Sequence, residues 1–200
     1  TIELVNVSGN SWSISHQGGD SSDKVLHGGG SITLSNALDK LRIKTQNGRY
    51  LSPGGPQGNQ NGYVTVHYET EGSGGGSSSS GGGSLVKHGT VTIDTPSSIT
   101  EAAFTNIPST AKKITVSLYR FGYNTTDGSS DDIIMEVGDS SGYANSGYQS
   151  AFDSVDVAGN LGAKSSTTFY GLADDTSISY DYNITIELVN VTGNSWTISH

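Results

Sequence analysis

TIELVNVTGNSWTISH, residues Thr185–His200, repeats almost letter for letter the stretch TIELVNVSGNSWSISH at Thr1–His16. The sixteen positions recur at an offset of 184, and only Ser8/Thr192 and Ser13/Thr197 differ. Nothing else in the chain repeats, so this is not the short period over many copies that marks a repeat architecture. The stretch reads as a β-hairpin. Ile186, Leu188, Val189 and Val191 form a β-prone run, Thr192-Gly193-Asn194-Ser195 carry turn chemistry, and Trp196 and Ile198 alternate with Thr197 and Ser199 in a return strand. A folded domain has one slot for such a hairpin, and either copy fits it. The other copy is then free, enters another molecule, or belongs to a second copy of the domain. Ile2, Leu4 and Trp12, with their counterparts Ile186, Leu188 and Trp196, are the candidate self-association residues, because an undocked copy exposes them. Full burial of one such side chain is worth about 1.5–3 kcal/mol.

Outward from the hairpin the same alternation continues. Ile114, Val116 and Leu118 alternate with Thr115, Ser117 and Tyr119, and Val64, Val66 and Tyr68 alternate with Thr65, His67 and Glu69. Further short strands are expected at Ile32–Leu34, Leu41–Ile43, Val91–Ile93, Ala103–Phe104, Ile133–Val137, Phe152–Val157, Thr168–Leu172 and Ser177–Tyr182. Only Ser35–Lys40 has room for a helical turn. With 28 Gly among 200 residues and many Ser and Thr between the runs, the pattern predicts an all-β, mainly antiparallel sandwich of jelly-roll type. The chain has no cysteine, so core burial alone must hold it, without disulfides or thiolate metal sites. A formal charge of -9 with 10 Lys and Arg argues against a nucleic-acid groove, which needs clustered cations. No long apolar run and no basic-then-apolar leader is present, so the expectation is a soluble protein with no membrane insertion.

Between the strands lie Gln17–Gly30, Arg49–Gly62, Asn124–Asp132 and Gly138–Ser150, all read as loops from their Gly, Pro and polar content. Glu71–Ser84, EGSGGGSSSSGGGS, has the composition of an inserted, engineered linker with an end-to-end distance of about 20 Å. The chain therefore divides into residues 1–70, a linker at 71–85, and residues 86–200.

At three places the residues resemble a C-terminal domain of bacteriophage tail-fibre and related virion proteins. Phe104-Thr105-Asn106-Ile107-Pro108 running into Lys112-Lys113-Ile114-Thr115-Val116 is similar to its opening strand signature. Gly138-Asp139-Ser140-Ser141-Gly142 with Ser146-Gly147-Tyr148 is similar to its central loop. Gly28-Gly29-Gly30-Ser31, Leu34-Ser35, Leu38-Asp39-Lys40-Leu41-Arg42-Ile43 and Asn47-Gly48 are similar to its closing segment. Here the closing block precedes the opening block. The resemblance thus implies one β-sandwich in circularly permuted order, with 1–70 as its closing half and 86–200 as its opening half, about 170 residues outside the linker and the first hairpin. A window on a tandem protein with a period of 184 residues fits the same letters. The resemblance also implies a virion location, an extracellular setting, and a non-catalytic module that binds a cell-surface glycan or serves a purely structural role. Other copies of the chain are the second expected partner.

Tyr143, Asn145 and Tyr148, in a Gly/Ser loop suited to stacking and hydrogen bonding, are the candidate ligand contacts, together with Tyr50 in the Arg49–Gly62 loop. Asp127, Asp131 and Asp132 could offer oxygen ligands to a hard cation, but their spacing lacks the EF-hand pattern and reads as solvated turn carboxylates. No metal and no cofactor is expected. His16, His27, His67, His88 and His200 form no HExxH pattern, and no G-x-S-x-G element joins a strand to a helix. No enzyme is expected; glycan cleavage would need two carboxyl groups about 5–10 Å apart across one groove.

Overall fold

The computed structural model describes residues 18–19, 25–53, 61–70, 85–94, 99–123, 131–155, 161–176 and 182–200. Thr1–His16 and the Glu71–Ser84 tract lie outside these, as do Asp127 and residues 54–60. Among the described residues the fold is all-β, antiparallel and sandwich-like, with no helix.

Strands are numbered in chain order. The larger sheet runs β12 (Leu161–Ser166), β11 (Gln149–Val155), β2 (Val25–Thr33), β1 (Gly18–Gly19), β14 (Tyr182–Thr192), β8 (Ala111–Tyr123), β5 (Gly62–Thr70) and β6 (Leu85–Ile93). In it β15 (Ser195–Ser199) bridges β14 and β2, and β4 (Leu51–Pro53) pairs with β8. The smaller sheet runs β10 (Gly142–Tyr143), β9 (Asp131–Asp139), β3 (Lys40–Thr45) and β7 (Glu101–Thr105), with β13 (Tyr170–Thr176) also on β9.

Alternation decides which side chains go inside. On β8, Ile114, Val116 and Leu118 turn inward, opposite Val66 and Val64 of β5 and Leu188, Ile186 and Ile184 of β14. β9 is buried on both faces through Ile133, Ile134, Met135 and Val137. One core draws Leu41, Ile43, Phe104 and Tyr170 from the smaller sheet and Val64, Val116, Ile186 and Ile198 from the larger. Segments from either side of the linker tract interleave in both sheets: β3 lies between β9 and β7, and β5 between β8 and β6.

Several loop expectations are corrected. Gly28-Gly29-Gly30 is not loop but the middle of β2, paired with β11 on one side and β15 on the other. The glycines make room for neighbours. A Cβ on Gly30 would stand 2.4 Å from the Gln149 carbonyl and 3.0 Å from the Tyr170 ring, and on Gly28 it would strike the His200 imidazole. The helical turn proposed for Ser35–Lys40 is absent; Ser35 and Asn36 form a bend before β3. β4 lies inside the expected Arg49–Gly62 loop, and β12 is a strand that alternation did not suggest.

The second hairpin copy is docked. β14 and β15 close through a turn at Gly193 and Asn194, with Gly193 at φ 55 and the Asn190 amide donating to the Gly193 carbonyl at 2.8 Å. Ile186, Leu188 and Trp196, expected as self-association residues, are buried in this chain's own core. Ile2, Leu4 and Trp12 lie outside the described residues.

Candidate functional site

The expected ligand loop splits into spent and exposed residues. Tyr148 is corrected from a ligand contact to a core residue, because it is 1% exposed and its hydroxyl accepts from the Val137 amide at 2.8 Å. Burial raises its phenol above the ordinary range, so it stays protonated at any ordinary pH. Tyr143 is half-buried, with the Arg42 guanidinium 4.1 Å from its ring centroid. Arg42 in turn donates to Glu136 at 2.7 Å and to Glu101 at 2.8 Å, and Lys44 meets Glu136 at 3.1 Å. Burial works against the Arg42 charge, but the hydrogen bonds and charges of Glu136 and Glu101 together outweigh it and raise its pKa. The tyrosine is thus one wall of a closed ion network. Asn145 and Tyr50 are exposed, but on separate segments, Tyr50 next to β4 and Asn145 beyond β10.

The carboxylates are likewise engaged. Asp131 accepts from the Asn47 backbone at 3.2 Å and its side chain at 3.0 Å, and Asp132 binds Lys164 at 2.9 Å. Asp139 accepts from the Ser141 hydroxyl at 2.5 Å, the Ser141 amide at 2.8 Å and the Asn36 amide at 2.8 Å. Those bonds, the Ser141 hydroxyl first, hold its carboxyl down at about 2. Among the described residues no group of three His, Cys, Asp or Glu is arranged to hold a metal.

A different aromatic site stands on the outer face of the larger sheet. Tyr63 of β5 and Tyr119 of β8 are direct cross-strand partners, with ring centroids 6.4 Å apart and planes 23° from parallel. They remain 38% and 53% exposed, and with Tyr50, Leu85 and Val86 they are the large apolar side chains that the described residues leave open. Around them the outward residues are small and hydroxylated: Thr92 opposite Tyr63, Thr90 and Ser117 opposite Thr65, and Thr185 opposite Ser117. Thr65 and Thr90 join hydroxyls at 3.1 Å.

The backbone beneath Tyr119 is bent. Between the pairs Ile184–Leu118 and Tyr182–Phe121, β14 has Asn183 alone while β8 has Tyr119 and Arg120, which makes a β-bulge. Arg120 adopts φ 50, a strained value for a residue with a side chain, and its amide donates to the Asn183 side chain at 3.1 Å. The bulge pushes the Arg120 carbonyl against β5, where a Cβ on residue 62 would stand 2.6 Å away; Gly62 is the residue that fits. Tyr63 follows directly. The sequence did carry a signal for this pair, since alternation already set Tyr119 among the outward residues of its strand, but the partner 56 positions away follows only from the register.

Among the described residues no helix is long and apolar enough to cross a membrane. Protein-family models, curated proteins and solved structures offer no match to this chain.

Proposed function

We propose that the chain is a non-catalytic binding module of the virion tail-fibre type, and that it takes a glycan on the outer face of its larger sheet. The observation that carries this reading is the exposed Tyr63–Tyr119 stack on a hydroxyl-rich surface. A sugar ring offers apolar C–H faces and hydroxyl edges. Two adjacent phenols supply flat apolar area at low entropic cost, and Thr65, Thr90 and Thr92 supply hydroxyl partners beside them. The strained bulge at Arg120 fits the same reading, because such outliers cluster where a side chain is aimed for use. The non-catalytic part is supported by the engagement of Asp131, Asp132, Asp139, Glu101 and Glu136 with structural partners. The phage assignment rests on the three sequence resemblances.

The test is a glycan array probed with multivalent protein. Wild type is expected to bind a defined set of glycans, Tyr63→Ala/Tyr119→Ala to lose at least tenfold in signal, and Tyr143→Ala to bind like wild type. An array that stays blank with wild type, or one on which the double variant binds unchanged, overturns the reading.

A further inference from the structure

The docked hairpin ends at a junction that its own chain continues from elsewhere. Along β2, Thr33 through Gly29 face Ser195 through Ser199, and Gly28 then exchanges both backbone hydrogen bonds with His200, at 3.1 and 3.2 Å. After one intervening residue, His27, Leu26 and Val25 face Gly18 and Gly19. One residue, Gln17, also separates His16 from Gly18. β1 therefore lies where β15 would arrive if His200 were followed by Gln17.

The opposite edge gives the same register independently. On β14, Val189, Leu188 and Glu187 face Thr197, Ile198 and Ser199, and Ile184 and Asn183 face Gly18 and Gly19. Ile186 and Thr185 are left for the two positions between, the number that His200 and Gln17 would fill. On both flanks the strand 195–200 and the strand 18–19 form one line with a single break in the chain.

From this we infer that the slot between β8 and β2 is a receptor site for a β-hairpin of this sequence, with Thr1–His16 of the same chain as its second occupant, in exclusive competition with Thr185–His200. The side chains the slot reads are the same in both copies. Ile186, Leu188, Trp196, Ile198 and His200, all buried, correspond to Ile2, Leu4, Trp12, Ile14 and His16. His200, whose Nδ1 lies 3.0 Å from the Tyr170 hydroxyl, corresponds to His16. The two differing positions fall at Thr192, which is exposed, and Thr197, which is half-buried on the outer face. Serine there leaves every core contact unchanged, so the two occupancies lie within about tenfold of each other.

Connectivity decides for the same chain over a second molecule. Thr185 follows Ile184, which is already seated on β8, and His16 precedes Gln17, the neighbour of seated Gly18. Each copy is tethered at one end of the slot, which keeps its local concentration high without any association step. Exchange between molecules fills no additional slot, because every copy of this sequence brings one slot and two hairpins, while association costs translational and rotational freedom.

Cysteine pairs test this in the full chain, which has no cysteine of its own. Thr33 and Ser195 are directly opposed on paired strands with hydroxyls 2.9 Å apart, opposed residues whose Cα atoms sit at about the 4.5–5.5 Å that a disulfide bridges, and Ser195 corresponds to Ser11. The variants are Thr33→Cys/Ser195→Cys and Thr33→Cys/Ser11→Cys, each oxidised mildly, run without reductant, and mapped by peptide mass. Both are expected to close within the monomer at rates within about tenfold of each other. A Thr33→Cys/Ser11→Cys protein that closes more slowly than that, keeps free thiols, or cross-links only as a dimer overturns the inference. So does failure of Thr33→Cys/Ser195→Cys to close.

Discussion

The outer faces of the two sheets are built by the same rule, alternate residues of antiparallel strands, and they carry tyrosines to opposite ends. On the smaller sheet Tyr143 lies under Arg42, Arg42 is clamped by Glu136 and Glu101, and Lys44 completes the set. On the larger sheet Tyr63 and Tyr119 face each other among threonines and serines, with no charged side chain in their own row of the ladder. An aromatic ring in a charge network is held by its neighbours and contributes to stability. A ring pair among hydroxyls keeps a face for something else. Residue type alone does not separate these cases; the partners across the ladder do.

The contrast makes the two faces respond differently to substitution. Glu136→Gln removes the anion that Arg42 and Lys44 share in a part-buried setting, and is expected to lower stability by about 1.5–3 kcal/mol in urea unfolding while leaving glycan binding intact. Equal stability of variant and wild type would mean that the network is as slack as an ordinary surface ion pair. Gly62→Ala tests the other face through its backbone. The new methyl meets the Arg120 carbonyl, so the bulge must shift, with a loss of about 1–3 kcal/mol and with weakened glycan binding. Lost stability with full binding would separate the bulge from the aromatic platform.

The smallest effect is a pH dependence at the end of the smaller sheet. The Asp139 carboxyl titrates at about 2 in the folded chain, below its ordinary 3.8, so its ionised form favours folding. That contribution is fully present above the unfolded value and is lost as the pH falls through the folded one. Asp139→Asn is therefore expected to melt below wild type at pH 6, with the gap closing between pH 4 and pH 2. A gap that stays constant to pH 2 would assign the difference to the side-chain swap and not to the charge.

What was legible in the sequence follows the same division between local and distant causes. The period-two runs at Val64–Val66 and Ile114–Leu118 contain their own explanation, and the structure buries those residues as alternation requires. Gly28–Gly30 resembles a loop because glycine usually marks one. Here the reason for glycine is the approach of Tyr170 and Gln149 from the far side of the chain, which no local window contains. Tyr148 was misleading in the same way. Its Gly/Ser surroundings suggest exposure, whereas the Val137 amide that captures its hydroxyl belongs to β9, beyond β10 and 11 residues back. The Tyr63–Tyr119 pair needed the register of β5 on β8, and the seating of the second hairpin copy needed that of β1 and β15 on β2.

That last register also sets a clock. Thr33 and Ser195, which touch across β2 and β15, lie 162 residues apart along the chain, and Asn194 reaches the Ser35 carbonyl across 159. Contacts of such separation reward the chain only after a long loop has been closed, and all-β domains dominated by them fold in about milliseconds to seconds instead of microseconds. The seam between β2 and β15 is therefore expected to close after the local hairpins. Before it forms, the nearer hairpin copy, whose Ser11 stands 22 residues from Thr33, has the shorter loop to close on the edge of β2, so the order of folding favours the occupant that the sequence places beside the slot.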